Sequence, residues 1–98
     1  MDSKMNNILV CSKTSLNDTD VILIPNKKVT ELNDGMVYKF ILASNVFNDN
    51  KIYIKTDNGD IPVFYKNGKP LYLNQISKRI SYPIRYCNNK FILLYKTK

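Results

Sequence analysis

The stretch "DNGDIPVFYKNGKP" (Asp57–Pro70) decides the fold. Its two Asn-Gly pairs, Asn58-Gly59 and Asn67-Gly68, bracket the apolar run "IPVFY". Asn and Gly tolerate positive φ, which a type I′ turn requires at both central residues. The spacing therefore predicts a tight hairpin at Asn58-Gly59, a strand "IPVFY" and a reversal at Asn67-Gly68 into a strand "PLYL" (Pro70–Leu73). Together they make a compact β-meander. Pro62 has no N–H for a ladder, so it predicts an edge or a bulge in the middle strand.

Upstream, "NKIYIKT" (Asn50–Thr56) alternates cleanly, with Ile52 and Ile54 on one face and Lys51, Tyr53 and Lys55 on the other. Period-two alternation of this kind marks a half-buried strand. "MVYKFILA" (Met36–Ala43) puts Tyr38, Phe40 and Leu42 on one face and Val37, Lys39 and Ile41 on a partly covered one. "NILVCS" (Asn7–Ser12) and "DVILIP" (Asp20–Pro25) are shorter apolar runs that end at turn residues. Downstream, "NQISKR" (Asn74–Arg79) is a single helical turn. "ISYPIRY" (Ile80–Tyr86) alternates again, "CNNK" is a turn, and "FILLYK" (Phe91–Lys96) reads as a strand covered on both faces. No helical period lasts three turns. The chain is thus expected to be all-β, a small antiparallel sandwich or barrel of about seven or eight strands in one domain, residues 1–98.

Composition narrows the chemistry. The chain has no histidine, which removes Ser-His-Asp and Cys-His catalysis and the commonest metal ligand. Its carboxylates stand in turns ("NDTD", "NDG", "NDN", "DNGD"), where Asp serves the backbone. "DNGD" lacks the alternating oxygens and distal glutamate of a calcium loop. The glycines form no phosphate loop. No metal, no cofactor and no enzymatic activity are therefore expected. Cys11 and Cys87 are expected to be small buried hydrophobes in reducing conditions, with their pairing left open. No apolar stretch is long enough for a membrane helix, and the N-terminus does not resemble a signal peptide. The expectation is a soluble protein made in a cytoplasm.

The formal charge of +7 is uneven. All eight acidic residues lie between Asp2 and Asp60, whereas Ile61–Lys98 carries six lysines, two arginines and no acid. Six of the seven tyrosines lie between Tyr53 and Tyr95, among those cations. Tyrosine serves strand packing first and interfaces second. A docking surface is expected from Tyr53, Lys66, Lys69, Tyr72, Lys78, Arg79, Arg85, Lys90 and Lys96, with exposed tyrosines as anchors and cations as a rim. Tyrosines beside cations on a β surface also suit a barrel that binds single-stranded nucleic acid, which is the alternative reading.

From Asp34 to Leu94 the order of elements resembles a β-rich module of tailed-phage tail fibres and other virion surface proteins. The residues that carry the resemblance are Asp34-Gly35, Phe40, Asn58-Gly59, Ile61-Pro62-Val63, Lys66-Asn67-Gly68, Leu71, Ile76, Tyr82 with Tyr86, and Phe91-Ile92-Leu93. Residues 34–98 would be the module and residues 7–33 its leading strands. "SNVFNDN" stands where the module often has a Gly-Ala-Ser run. The resemblance implies a non-enzymatic virion structural protein, exposed on tail fibre, baseplate or capsid and made in the cytoplasm of a bacterial host. Its partners would be other virion proteins of capsid or tail, with a host surface and a homo-oligomer left open. Nucleic acid and membrane are not implied.

Overall fold

Alternation along each apolar run sets the strands. In a computed structural model that describes residues 7–94, the chain forms β1 (Ile8–Cys11), β2 (Lys13–Leu16), β3 (Asp20–Ile24), β4 (Val37–Leu42), β5 (Lys51–Thr56), β6 (Gly59–Phe64), β7 (Ser81–Cys87) and β8 (Lys90–Leu93). Tyr95 and Lys96 lie outside the described residues. Tyr38, Phe40 and Leu42 of β4 are buried, as are Ile52 and Ile54 of β5 and Tyr82, Ile84 and Tyr86 of β7. Their outward neighbours Val37, Lys39, Lys55 and Arg85 are exposed. The class is all-β, as the sequence predicts.

The strands form one sheet in the order β1-β4-β7-β8-β6-β5-β3-β2. β1 and β2 stand at its two ends, yet only Ser12 separates them in the chain. The segment 8–16 therefore joins the two ends of the sheet, pairing with β4 through its first half and β3 through its second. The Asn26 N–H donates to the Val10 carbonyl at 2.8 Å, tying the end of β3 to β1. The result is a nearly closed barrel, which removes most of the exposed edge of an open sheet.

Pairing departs from the antiparallel expectation. Among the described residues four ladders are antiparallel and three are parallel: β1 with β4, β3 with β5, and β6 with β8. The leading strands are thus woven into the barrel beside β4 and β5. β2, "KTSL", was not expected, because it buries none of its residues. "PLYL" is not a strand. It makes isolated bridges, Phe64↔Pro70 and Lys51↔Tyr72, and runs into the 3-10 turn Leu73–Gln75, all that forms of the expected turn "NQISKR". β8 is buried on one face only, since Ile92 is half-buried. β6 is an interior strand rather than an edge. Pro62 is tolerated there because the ladder to β8 begins at Val63, one residue later.

The turns also differ in type. Gly59 (φ 106°) and Gly68 (φ 89°) have positive φ, but Asn58 and Asn67 do not. At the second turn the Gly68 N–H donates to the Tyr65 carbonyl (2.9 Å) and the Tyr65 N–H to the Lys69 carbonyl (2.8 Å). That is a three-residue loop closed by a left-handed glycine. The I′ condition is met instead at Asn88 (φ 59°) and Asn89 (φ 63°), between β7 and β8.

The barrel interior holds an aromatic cluster. Phe91 meets Tyr38 edge-on at 5.8 Å and Tyr86 at 5.6 Å, and Phe40 packs on Tyr82 at 5.5 Å. Each buried tyrosine also ties a loop to the core through its hydroxyl. Tyr38 donates to the Glu31 carbonyl (2.6 Å), Tyr82 accepts from the Ser77 N–H (2.8 Å), and Tyr86 donates to Asn89 Oδ1 (3.0 Å).

Candidate functional site

The outward wall formed by β5, β6, β8 and β7 carries the largest share of the expected docking residues. On β5, Lys51, Tyr53 and Lys55 alternate with buried Ile52, Ile54 and Thr56. The Lys51↔Tyr72 bridge sets Tyr72 beside Lys51, and the register Tyr53↔Pro62 carries the surface onto β6. Phe64 stands opposite Ile92, and Ile92 opposite Arg85. Tyr53, Pro62, Phe64, Tyr72 and Ile92 are all half-buried, so each still shows part of its apolar surface. The Lys90 Nζ lies 5.5 Å from the centre of the Phe64 ring. Such a contact is worth about 0.5–1 kcal/mol at an exposed site. The wall is therefore an apolar, aromatic strip framed by Lys51, Lys55, Arg85 and Lys90. Asp20 and Asp60 stand across the ladders from Lys51 and Lys55 and offset two of those charges.

The expected residues do not all meet. Tyr53, Tyr72, Arg85 and Lys90 share the wall. Lys66 and Lys69 are exposed in the hairpin directly beyond Phe64 and Pro70. Lys78 and Arg79 lie elsewhere, at the barrel mouth, where the Arg79 N–H donates to the Leu42 carbonyl at 2.9 Å. Arg79 is held at φ 66°, a region that costs a non-glycine residue about 1–2 kcal/mol. Lys96 lies outside the described residues. Of the clustered tyrosines, Tyr82 and Tyr86 are core residues and offer no contact surface.

Sequence reasoning missed Phe47. It is 82% exposed, more than any other large hydrophobic residue among those described. It borders a groove of about 600 Å³ at the mouth, floored by Leu42, Val46, Leu73 and Ile76. The only signal for it was an aromatic residue inside the polar run "SNVFNDN".

Burial shifts two titratable groups, Cys11 and Tyr38. Burial pushes the Cys11 thiol from 9.0 up to about 12, which keeps it protonated and unreactive. Tyr38 is pushed up by burial first, then by the Glu31 carboxylate and by Tyr86. Both cysteines are free, and Cys87 is exposed rather than buried as expected, because it falls on the outward face of β7. Among the described residues no three His, Cys, Asp or Glu side chains group as metal ligands, and no helix is long and apolar enough to cross a membrane. The Asp34 carboxylate accepts the Asn88 N–H at 3.0 Å and so joins two loops. No family model, curated protein or solved structure matches the chain.

Proposed function

We propose that this chain is a non-enzymatic structural protein of a phage or prophage virion, exposed on tail fibre, baseplate or capsid, and that it docks on a neighbouring virion protein through the β5-β6-β8-β7 wall. The observation that carries the docking reading is the gathering of Tyr53, Tyr72, Phe64 and Ile92 inside a frame of cations on one continuous face. Aromatic anchors surrounded by polar rims are how protein interfaces concentrate their affinity. The rim charges would set on-rate and salt sensitivity toward an acidic partner surface. The virion setting rests on the resemblance of residues 34–94 to the fibre module.

A second reading has its own support. Lys51 stands beside two tyrosines and Lys90 over Phe64, which is also how a single strand is held, by stacking and phosphate contacts. The carboxylates opposite Lys51 and Lys55 weigh against it, since they repel phosphate. The test adds purified protein to particles lacking it, and separately to labelled single-stranded DNA at physiological salt. Attachment to particles, slowed by Arg85→Glu, is expected. Tight DNA binding without particle attachment would replace the virion reading with the nucleic-acid one.

A further inference from the structure

We infer that this chain pairs with a second copy of itself, edge to edge, through β2 across a two-fold axis. This pairing is independent of the virion setting and of the wall.

β2 is an end strand of the sheet, with β3 on one side and, among the described residues, no strand on the other. The Asn17 N–H donates to the Asp20 carbonyl at 3.1 Å and closes the hairpin between β2 and β3. Hydrogen-bonded pairs alternate along an antiparallel ladder, so Ser15↔Ile22 and Lys13↔Ile24 are the next ones. Thr14 and Leu16 therefore turn their N–H and C=O groups outward, where no described residue meets them. The side chains are open at the same place. Leu16 stands across the ladder from Val21, which is fully buried, so it lies on the core side of the sheet. It is nevertheless 54% exposed, since no strand continues the sheet past it. An unpaired edge with a bare core-side leucine is a template for one more strand. β2 contains no proline and its register is unbroken, so nothing along it blocks that pairing.

Charge and symmetry select the occupant. Lys13 begins the strand and Asp18 stands in the turn that ends it. Both are exposed, and neither side chain has a partner among the described residues. An antiparallel second copy sets the positive end of each strand beside the negative end of the other, whereas a parallel one sets like beside like. With Thr14 opposite Leu16 of the second copy, and the reverse, every outward N–H and C=O of both strands is paired. That register puts Lys13 opposite Asn17 of the second copy, one residue from Asp18. It also brings both Leu16 side chains onto one continuous core-side face. The same patch meets itself about the axis, as a two-fold interface requires. An unrelated extended peptide would pair the backbone but would not match the charges at both ends.

The test is sedimentation velocity of the full-length chain from micromolar to millimolar concentration, where a dimer that grows with concentration is expected. Lys13→Asp and Asp18→Lys change exposed side chains outside the core, and circular dichroism verifies that both variants fold. Each alone is expected to dimerise about tenfold more weakly, because like charges then meet at both ends. An equimolar mixture of the two variants is expected to recover the dimer, since each supplies the charges that the other lacks. In the unmodified dimer, amide exchange is expected to slow at Thr14 and Leu16, whose N–H groups are open in the monomer. A monomer at every concentration, a dimer indifferent to both reversals, a mixture no tighter than either variant alone, or unchanged exchange at Thr14 and Leu16 would each overturn the inference.

Discussion

At the scale of single residues, backbone conformation decides more than side-chain contact. A Cβ built on Gly59 or Gly68 would meet no atom within 4 Å, so space does not require glycine at either position. The positive φ does. Gly68→Val is expected to destabilise the protein by about 1–3 kcal/mol through strain alone, read as a loss in urea midpoint with unchanged slope. The Asn-Gly pairs announced both turns in the sequence. The geometry of the second was not legible, because one positive-φ glycine closes a three-residue loop as well as two positive φ values close a two-residue one. The two asparagines that do adopt φ 59° and 63°, Asn88 and Asn89, carry no glycine to mark them. Titration acts at this scale too. Cys11 and Tyr38 hold their protons more tightly when folded than when unfolded. The stability they add is complete below their ordinary values of 9.0 and 10.0 and is lost as pH rises through the folded values, about 12 for Cys11. Thermal midpoints should therefore fall as pH is raised above 9.0, and Cys11→Ala, though less stable throughout, should show a shallower fall. A flat profile up to pH 12 would contradict this.

At the scale of elements, alternation made β4, β5 and β7 legible, because burial on one face of a strand imposes period two on its sequence. β2 was hidden for the same reason: it buries no side chain and exists because β3 offers it an edge. Partner choice was hidden as well. Nothing in "DVILI" says that it lies parallel to "KIYIK", since that pairing follows from how the chain crosses the barrel. The juxtaposition of Tyr53 and Tyr72 depends on the Lys51↔Tyr72 bridge and was equally out of reach of spacing. The buried tyrosines connect elements to loops. Tyr82→Phe keeps the ring against Phe40 but strips the acceptor from the Ser77 N–H. A net cost of about 1 kcal/mol is expected, seen as a drop in thermal midpoint of about 4–8 °C. Amide exchange should quicken around Ser77 and stay unchanged in β4. No change at Ser77 would mean that the hydroxyl does not hold that loop.

At the scale of the molecule, the barrel sorts its surface. Among the described residues from Ile61 onward, Tyr82, Tyr86 and Phe91 are buried in the core, Tyr65 packs against it and Phe64 and Tyr72 stand on the wall, while the cations lie along the wall, in the hairpin of Lys66 and Lys69, and at the mouth. Composition showed a basic, tyrosine-rich chain but not that its downstream cations would separate between the wall, the hairpin beyond it and the mouth. We propose the wall as the docking face. Hydroxyl-radical footprinting of the chain bound to its particle tests it most directly, because tyrosine and phenylalanine rings report their own exposure. Docking through the wall predicts strong protection of Tyr53, Tyr72 and Phe64 on attachment relative to the free protein. Attachment with these three rings oxidised as fast as in the free protein would contradict it.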